Sequence, residues 1–180
     1  MIKEQMHMYG KRIAGFIFSC EDVLHAALEM LIQETEEVQL QSNSFSFHET
    51  SYYQAEMGDG LKRLFVSFVG LVSLEQIHLW KKLTDTVEDS FRVRGNREIN
   101  IDPGYLDFHK VVLLSSKYGG QKIYLGQQVW ADMVLLKKKG GYQHFAWTFP
   151  DLRAHKYDEF FLKVRADLKN FIKTEKRNGV

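Results

Sequence analysis

The order in which two hydrophobic periodicities follow one another is the strongest constraint on this chain. RIAGFIF (Arg12 to Phe18) is an apolar β-type run, and Leu24, Ala27, Leu28 and Leu31 then recur at the i, i+3, i+4, i+7 spacing of a helix face. EVQLQSNSFSF and KRLFVSFV supply two more β-rich runs. A second helical stripe follows (Ile77, Trp80, Thr84, Val87, Phe91), opened by the capping-box pattern Ser73-x-x-Gln76, and then the strand REINI. The sequence predicts helices over 21–34 and 74–90, and a β-α-β-β-α-β order through Ile101, the split βαβ arrangement of ferredoxin-like domains.

Behind this unit HKVVLLSS, KIYLG and QVWADMVLLK read as added strands, and KKKGGY (Lys137 to Tyr142) as a hairpin tip. Tyr157, Phe160, Phe161, Val164, Leu168, Phe171 and Ile172 form the stripe of a closing helix, with acids near its start and Lys173, Lys176 and Arg177 at its end, as the helix dipole favours. The expected fold class is α+β, a mainly antiparallel sheet in one domain over 1–180. Residues 11–101 form the ferredoxin-like core, and 102–180 an antiparallel extension with the terminal helix. Ile13, Val66, Phe68, Ile99, Val112 and Leu114 are expected to carry the sheet into one core. In INIDPGYL (Ile99 to Leu106), Asp102-Pro103-Gly104 reads as a chain reversal, because proline presets φ and glycine permits positive φ.

Charge and motif spacing exclude several functions. Lys and Arg number 24 against 23 Asp and Glu, a net charge of +1, so no global field draws nucleic acid or an anionic membrane. An RNP1 pattern is missing, and nucleic acid is not an expected partner. No apolar run approaches the ~20 residues of a spanning helix, and MIKEQMHMYGKR lacks the apolar core of a signal peptide. With one cysteine, Cys20, an intrachain disulfide is impossible; the expected location is the cytoplasm. Neither GDGLKR nor GGQK has Walker A spacing, and N-K-x-D and G-x-G-x-x-G are missing, which rules out a P-loop GTPase and a Rossmann dinucleotide site. The seven histidines show no H-x-H or H-E-x-x-H spacing, so no metal site is expected, and no cofactor is legible.

Four blocks form a recognisable set: FHETSYYQAEMG (Phe47 to Gly58) with LKRLFVSF, then INIDPGYL, then KIYLG with VWADMVLL, and WTFPDLR (Trp147 to Arg153). In this order, over nearly the whole chain, they resemble the bacterial family known as domain of unknown function 4416. F-x-x-T-x-Y-Y-x-x-E-M-G and N-I-D-P-G-Y-L are the most specific parts. The family has no established activity, so the resemblance implies a shared fold and a set of marked positions.

The candidate site gathers polar residues at strand ends and turns. Tyr52, Tyr53, Glu56, Lys62 and Arg63 come from one region, Asn100, Asp102 and Tyr105 from a second, with Lys110, Lys117, Lys122, Tyr124 and Arg153. In YYQAEMG a single helical turn would point the tyrosines and Glu56 to one side. Lysines and tyrosines of this kind orient a phosphorylated or carboxylated ligand, and Glu56 or Asp102 is the candidate base or Mg²⁺ ligand. The turn expected at Asp102-Pro103-Gly104 would present Asp102 and Tyr105 beside YYQAEMG as one wall of an anion-binding cleft, with Lys110, Lys117 or Lys122 supplying the charge. Whether the chain is an enzyme stays open: the alternative is a protein-interaction or homo-oligomeric module whose face is built from Tyr52, Tyr53, Trp147 and Phe149.

Overall fold

The computed structural model describes residues 8–48 and 53–177. In chain order these form Tyr9–Phe18 (β1), Glu21–Glu34 (α1), Val38–Gln41 (β2), Phe45–Ser46 (β3), Gln54–Met57 (α2), Lys62–Phe68 (β4), Val72–Ser73 (β5) and Ile77–Ser90 (α3). Arg92–Val93 (β6), Asn96–Arg97 (β7), Ile99–Leu106 (β8), Lys110–Ser115 (β9), Ile123–Gly126 (β10), Val129–Lys138 (β11), Gly141–His144 (β12), Pro150–Arg153 (α4) and Asp158–Arg177 (α5) follow. The main sheet runs β10-β11-β9-β8-β1-β4-β2, and its ladders are antiparallel. Its segment β8-β1-β4-β2 takes the fourth, first, third and second strands of the βαββαβ unit, the interleaved order of the split βαβ arrangement. β9, β11 and β10 extend the sheet beyond β8, and β12 folds back on β11 as the KKKGGY hairpin.

Two large cores form because both faces of the central strands are apolar, and Ile17, Phe47, Met57 and Leu61 make a third, smaller cluster. From β1, Ala14, Phe16 and Phe18 pack with Leu24, Ala27, Leu28 and Leu31 of α1 and Ile77, Trp80 and Val87 of α3. Ile13 points the other way, with Phe65, Leu106, Val111 and Leu113, onto Phe160, Phe161, Val164, Leu168 and Ile172 of α5. The single core expected from the sequence is therefore corrected: Ile13 lies on the opposite face from Val66, Phe68, Ile99, Val112 and Leu114. Each buried side chain of this kind is worth ~1.5 to 3 kcal/mol. The capping box is also not realised, since Ser73 precedes a 3₁₀ turn over Leu74–Gln76 and makes no side-chain cap bond.

INIDPGYL is not a turn. β8 runs through it without interruption and pairs with β1 at all eight positions, Pro103 opposite Ala14 and Asp102 opposite Gly15. With β9, in contrast, it pairs only from Gly104 to Leu106. Proline has no N–H to donate, and it stands where the ladder to β9 has ended. A Cβ built on Gly104 would lie 2.2 Å from the Val112 carbonyl oxygen, so glycine serves here for close approach of two backbones. Long-range pairing with β1 overrides the local turn chemistry.

Candidate functional site

Where β8 and β9 part, a cleft of about 490 Å³ opens in the sheet. Asn100, Ile101 and Asp102 line it from β8, and Leu113, Leu114 and Ser115 from β9, the latter continuing into Ser116 and Lys117. α3 adds Lys81, Asp85 and Glu88, the α2 turn adds Tyr53 and Glu56, and the β6–β7 hairpin adds Arg92 and Arg97. Lys122, Asp132 and Phe149 complete the lining. Pro103 and Gly104 thus shape the site by ending one ladder and pinching the strands together at its apex.

One wall is an internally neutralised network centred on Arg97. Its Nη2 donates to Glu56 Oε2 at 2.7 Å and its Nε to Glu56 Oε1 at 3.0 Å, while Nη1 donates to Asn100 Oδ1 at 2.8 Å and Glu88 Oε1 at 3.0 Å. The Tyr53 ring lies 5.7 Å from the guanidinium. Hydrogen bonding from Arg97 holds the Glu56 carboxyl below the usual range. Burial instead pushes Glu88 up, against the pull of the Ile101 N–H and of Arg97. At the rim Lys81 pairs with Asp85 at 2.6 Å.

Beneath Asp102 lies Arg63, fully buried, which donates to Asp102 Oδ2 at 2.7 Å and to Asp151 Oδ2 at 3.1 Å. The rings of Phe65, Phe149 and Phe47 surround its guanidinium at 4.9, 5.2 and 5.7 Å. Burial disfavours its charge, but Asp151 and Asp102 more than offset this and hold its pKa above the usual value. Asn100 Nδ2 bonds the other oxygen of Asp102 at 3.1 Å. Asp102 is thereby fixed as a partner of Arg63.

The opposite wall is different. Lys122 Nζ donates to Ser115 Oγ at 2.9 Å and to the Lys117 carbonyl at 3.1 Å, and among the described residues it joins no ion pair. Burial lowers its pKa. Asp132 is buried too, and burial raises its pKa; Oδ2 accepts from Gln121 Nε2 at 3.2 Å, whereas Oδ1 has no hydrogen-bond partner among the described residues.

Of the residues singled out from the sequence, Tyr53, Glu56, Asn100, Asp102, Lys117 and Lys122 meet in this cleft. Tyr52 lies outside the described residues. Arg63 sits behind the lining. Lys62 pairs with Glu21 at 2.9 Å on the surface, Lys110 pairs with Asp107, and Arg153 is exposed on α4. Tyr124 is exposed on the edge strand, 5.2 Å from the Trp130 ring. Tyr105 is not beside Asp102: three residues apart on a strand, they face opposite sides, and Tyr105 packs in the α1–α3 core with its hydroxyl pushed up to about 12 by burial and Asp107. Nor do the aromatics form one face. Tyr53 and Phe149 line the cleft, whereas Trp147 stacks on Phe145 at 4.9 Å and donates its N–H to the Met133 carbonyl.

Lys81, Asp85, Glu88, Arg92, Arg97, Asp132 and the two serines were not anticipated as site residues. Two signals existed. Lys81 and Glu88 interrupt the apolar stripe of α3, and Asp132 interrupts the apolar run of β11. Nothing local marks Arg97, whose four partners come from the α2 turn (Tyr53, Glu56), from α3 (Glu88) and from β8, which begins two residues on (Asn100).

The family model described as domain of unknown function (DUF4416) matches residues 9–168. The chain belongs to that family. No curated protein and no solved structure matches it. The matched span includes every residue of the cleft lining, so the split sheet and its two walls lie within the family domain. No described helix is long and apolar enough to cross a membrane.

Proposed function

We propose that the cleft between β8 and β9 binds a small anionic ligand, phosphorylated or carboxylated, in the cytoplasm. Lys122 is the observation that carries this. Arg63, Arg97 and Lys81 each face carboxylates of the protein, but the half-buried ammonium of Lys122 is held by neutral oxygens alone. An ammonium has three donors, and two are used among the described residues; with no carboxylate in direct contact, the third donor is open to an anionic group entering the cleft. Lys117 and the hydroxyls of Ser115 and Ser116 stand on the same wall. Calorimetric titration with inorganic phosphate tests the reading. Saturable binding that falls at least about tenfold in Lys122→Gln, with an unchanged melting temperature, supports it; no saturable binding, or binding indifferent to the substitution, overturns it.

An interaction module is the second reading, and β10 favours it. This short edge strand exposes Ile123, Tyr124 and Leu125 beside an unpaired backbone edge. Sedimentation equilibrium decides: a monomer at all concentrations removes self-association, and a dimer broken by Ile123→Lys establishes it.

A further inference from the structure

Asp132 is an acid of the cleft that, among the described residues, makes no ion pair; Lys122 acts on it only from a distance. Ile123 of β10 pairs with Ala131 of β11, so Lys122 stands one step along the antiparallel ladder, across from Asp132. A cross-strand Lys–Asp couple would ordinarily close into an ion pair. Here it does not: Lys122 turns to Ser115 and the Lys117 carbonyl, and Asp132 is left with a single hydrogen bond, from the exposed Gln121 side chain. Asp132 is 7% exposed, and among the described residues its Oδ1 has no hydrogen-bond partner. A carboxylate accepts about four hydrogen bonds, and leaving such a group buried with one is destabilising. A hydrophobic residue would serve the strand better, since β11 is apolar on both sides of position 132.

We propose that Asp132 accepts a hydrogen bond from a hydroxyl of the ligand, next to the anionic group held by Lys122, so that the cleft takes hydroxylated phosphates or carboxylates in preference to plain anions. The proposal rests on the anion-binding reading above. The hydroxyl meets Asp132 on the cleft side, joining or replacing the Gln121 amide on Oδ2 and reaching the unused acceptor capacity of the carboxyl. Asp132 discriminates because a ligand without the hydroxyl covers the acid and leaves it unsatisfied, the situation in which polar sites reject apolar analogues most strongly. Burial pushes its pKa up, and neither the Gln121 hydrogen bond nor the more distant charge of Lys122 offsets this.

Glycerol 3-phosphate and propyl phosphate share a three-carbon chain and a phosphate, and differ in hydroxyls. Titrated calorimetrically into the wild-type protein, glycerol 3-phosphate is expected to bind at least about tenfold more tightly. Asp132→Ala should bring that ratio to about one and leave propyl phosphate within about threefold of wild type. Asp132→Asn, nearly isosteric, should reduce the ratio while melting no lower than wild type, which a carboxylate kept for structure would not do. Equal binding of the two probes to the wild type, or a ratio that survives both substitutions, overturns the assignment of Asp132 while leaving the anion site standing. If neither probe binds, the anion site falls and the assignment falls with it.

Discussion

Gly104 and Val112 approach so closely that a Cβ on residue 104 would meet the Val112 carbonyl oxygen at 2.2 Å. This contact is the apex of the cleft, the last point at which β8 and β9 are joined before they separate. The obstacle is backbone and cannot rotate away. Gly104→Ala should therefore cost at least about 1 to 3 kcal/mol, as overpacking does, and lower the urea midpoint of unfolding. An unchanged midpoint would show that the strands part without strain and that the glycine is dispensable.

Arg63 is the cation on which two acids depend. With Arg63→Leu, Asp151 and Asp102 lose their guanidinium, and Asp151 has no route to water. Breaking a buried pair from one side costs about 3 to 5 kcal/mol. Chemical denaturation should show a loss of that size for Arg63→Leu, and a smaller one when Asp102→Asn and Asp151→Asn accompany it.

Glu56 gives a pH-dependent expectation. Arg97 depresses its carboxyl pKa in the folded state, so the unfolded chain binds the proton more readily. The contribution to stability is present above the ordinary Glu value and is lost as pH falls through the depressed one. Glu56→Gln should cost ~1 kcal/mol at neutral pH, a modest figure because the pair is partly exposed. The stability curves of variant and wild type should converge in acid; a constant gap would mean that the carboxylate charge plays no part.

Tyr105 faces away from the cleft, into the α1–α3 core. Tyr105→Phe should leave phosphate affinity at the wild-type value in the same titration in which Lys122→Gln is expected to weaken it at least about tenfold. A weakened affinity in Tyr105→Phe would mean that the α1–α3 face communicates with the ligand.

α5 covers a face of the sheet that nothing else covers to the same extent, through Phe160, Phe161, Val164, Leu168 and Ile172. Deleting the chain after Ala154 exposes that core and should give an aggregating protein without a cooperative melt. A melting curve like that of the full chain would contradict the two-core description.

Element order, the spans of α1, α3 and α5, the KKKGGY hairpin and the α+β class were legible in the sequence, because hydrophobic periodicity and turn residues act over a few positions. The same local logic misread Asp102-Pro103-Gly104. A proline and a glycine mean a turn when only neighbours are considered, but eight rungs of pairing with β1 hold the segment straight. Six residues of the cleft, Tyr53, Glu56, Asn100, Asp102, Lys117 and Lys122, were visible as marked polar residues. The network of Arg97 with Glu88, and the placing of Asp132 across from Lys122, exist only once elements distant in sequence are laid side by side, since burial and the pairing of charges are set by which elements meet. Tertiary structure alone decided that β8 and β9 separate, because that depends on a close backbone contact at Gly104 and a missing donor at Pro103, acting together on a strand reached later in the chain.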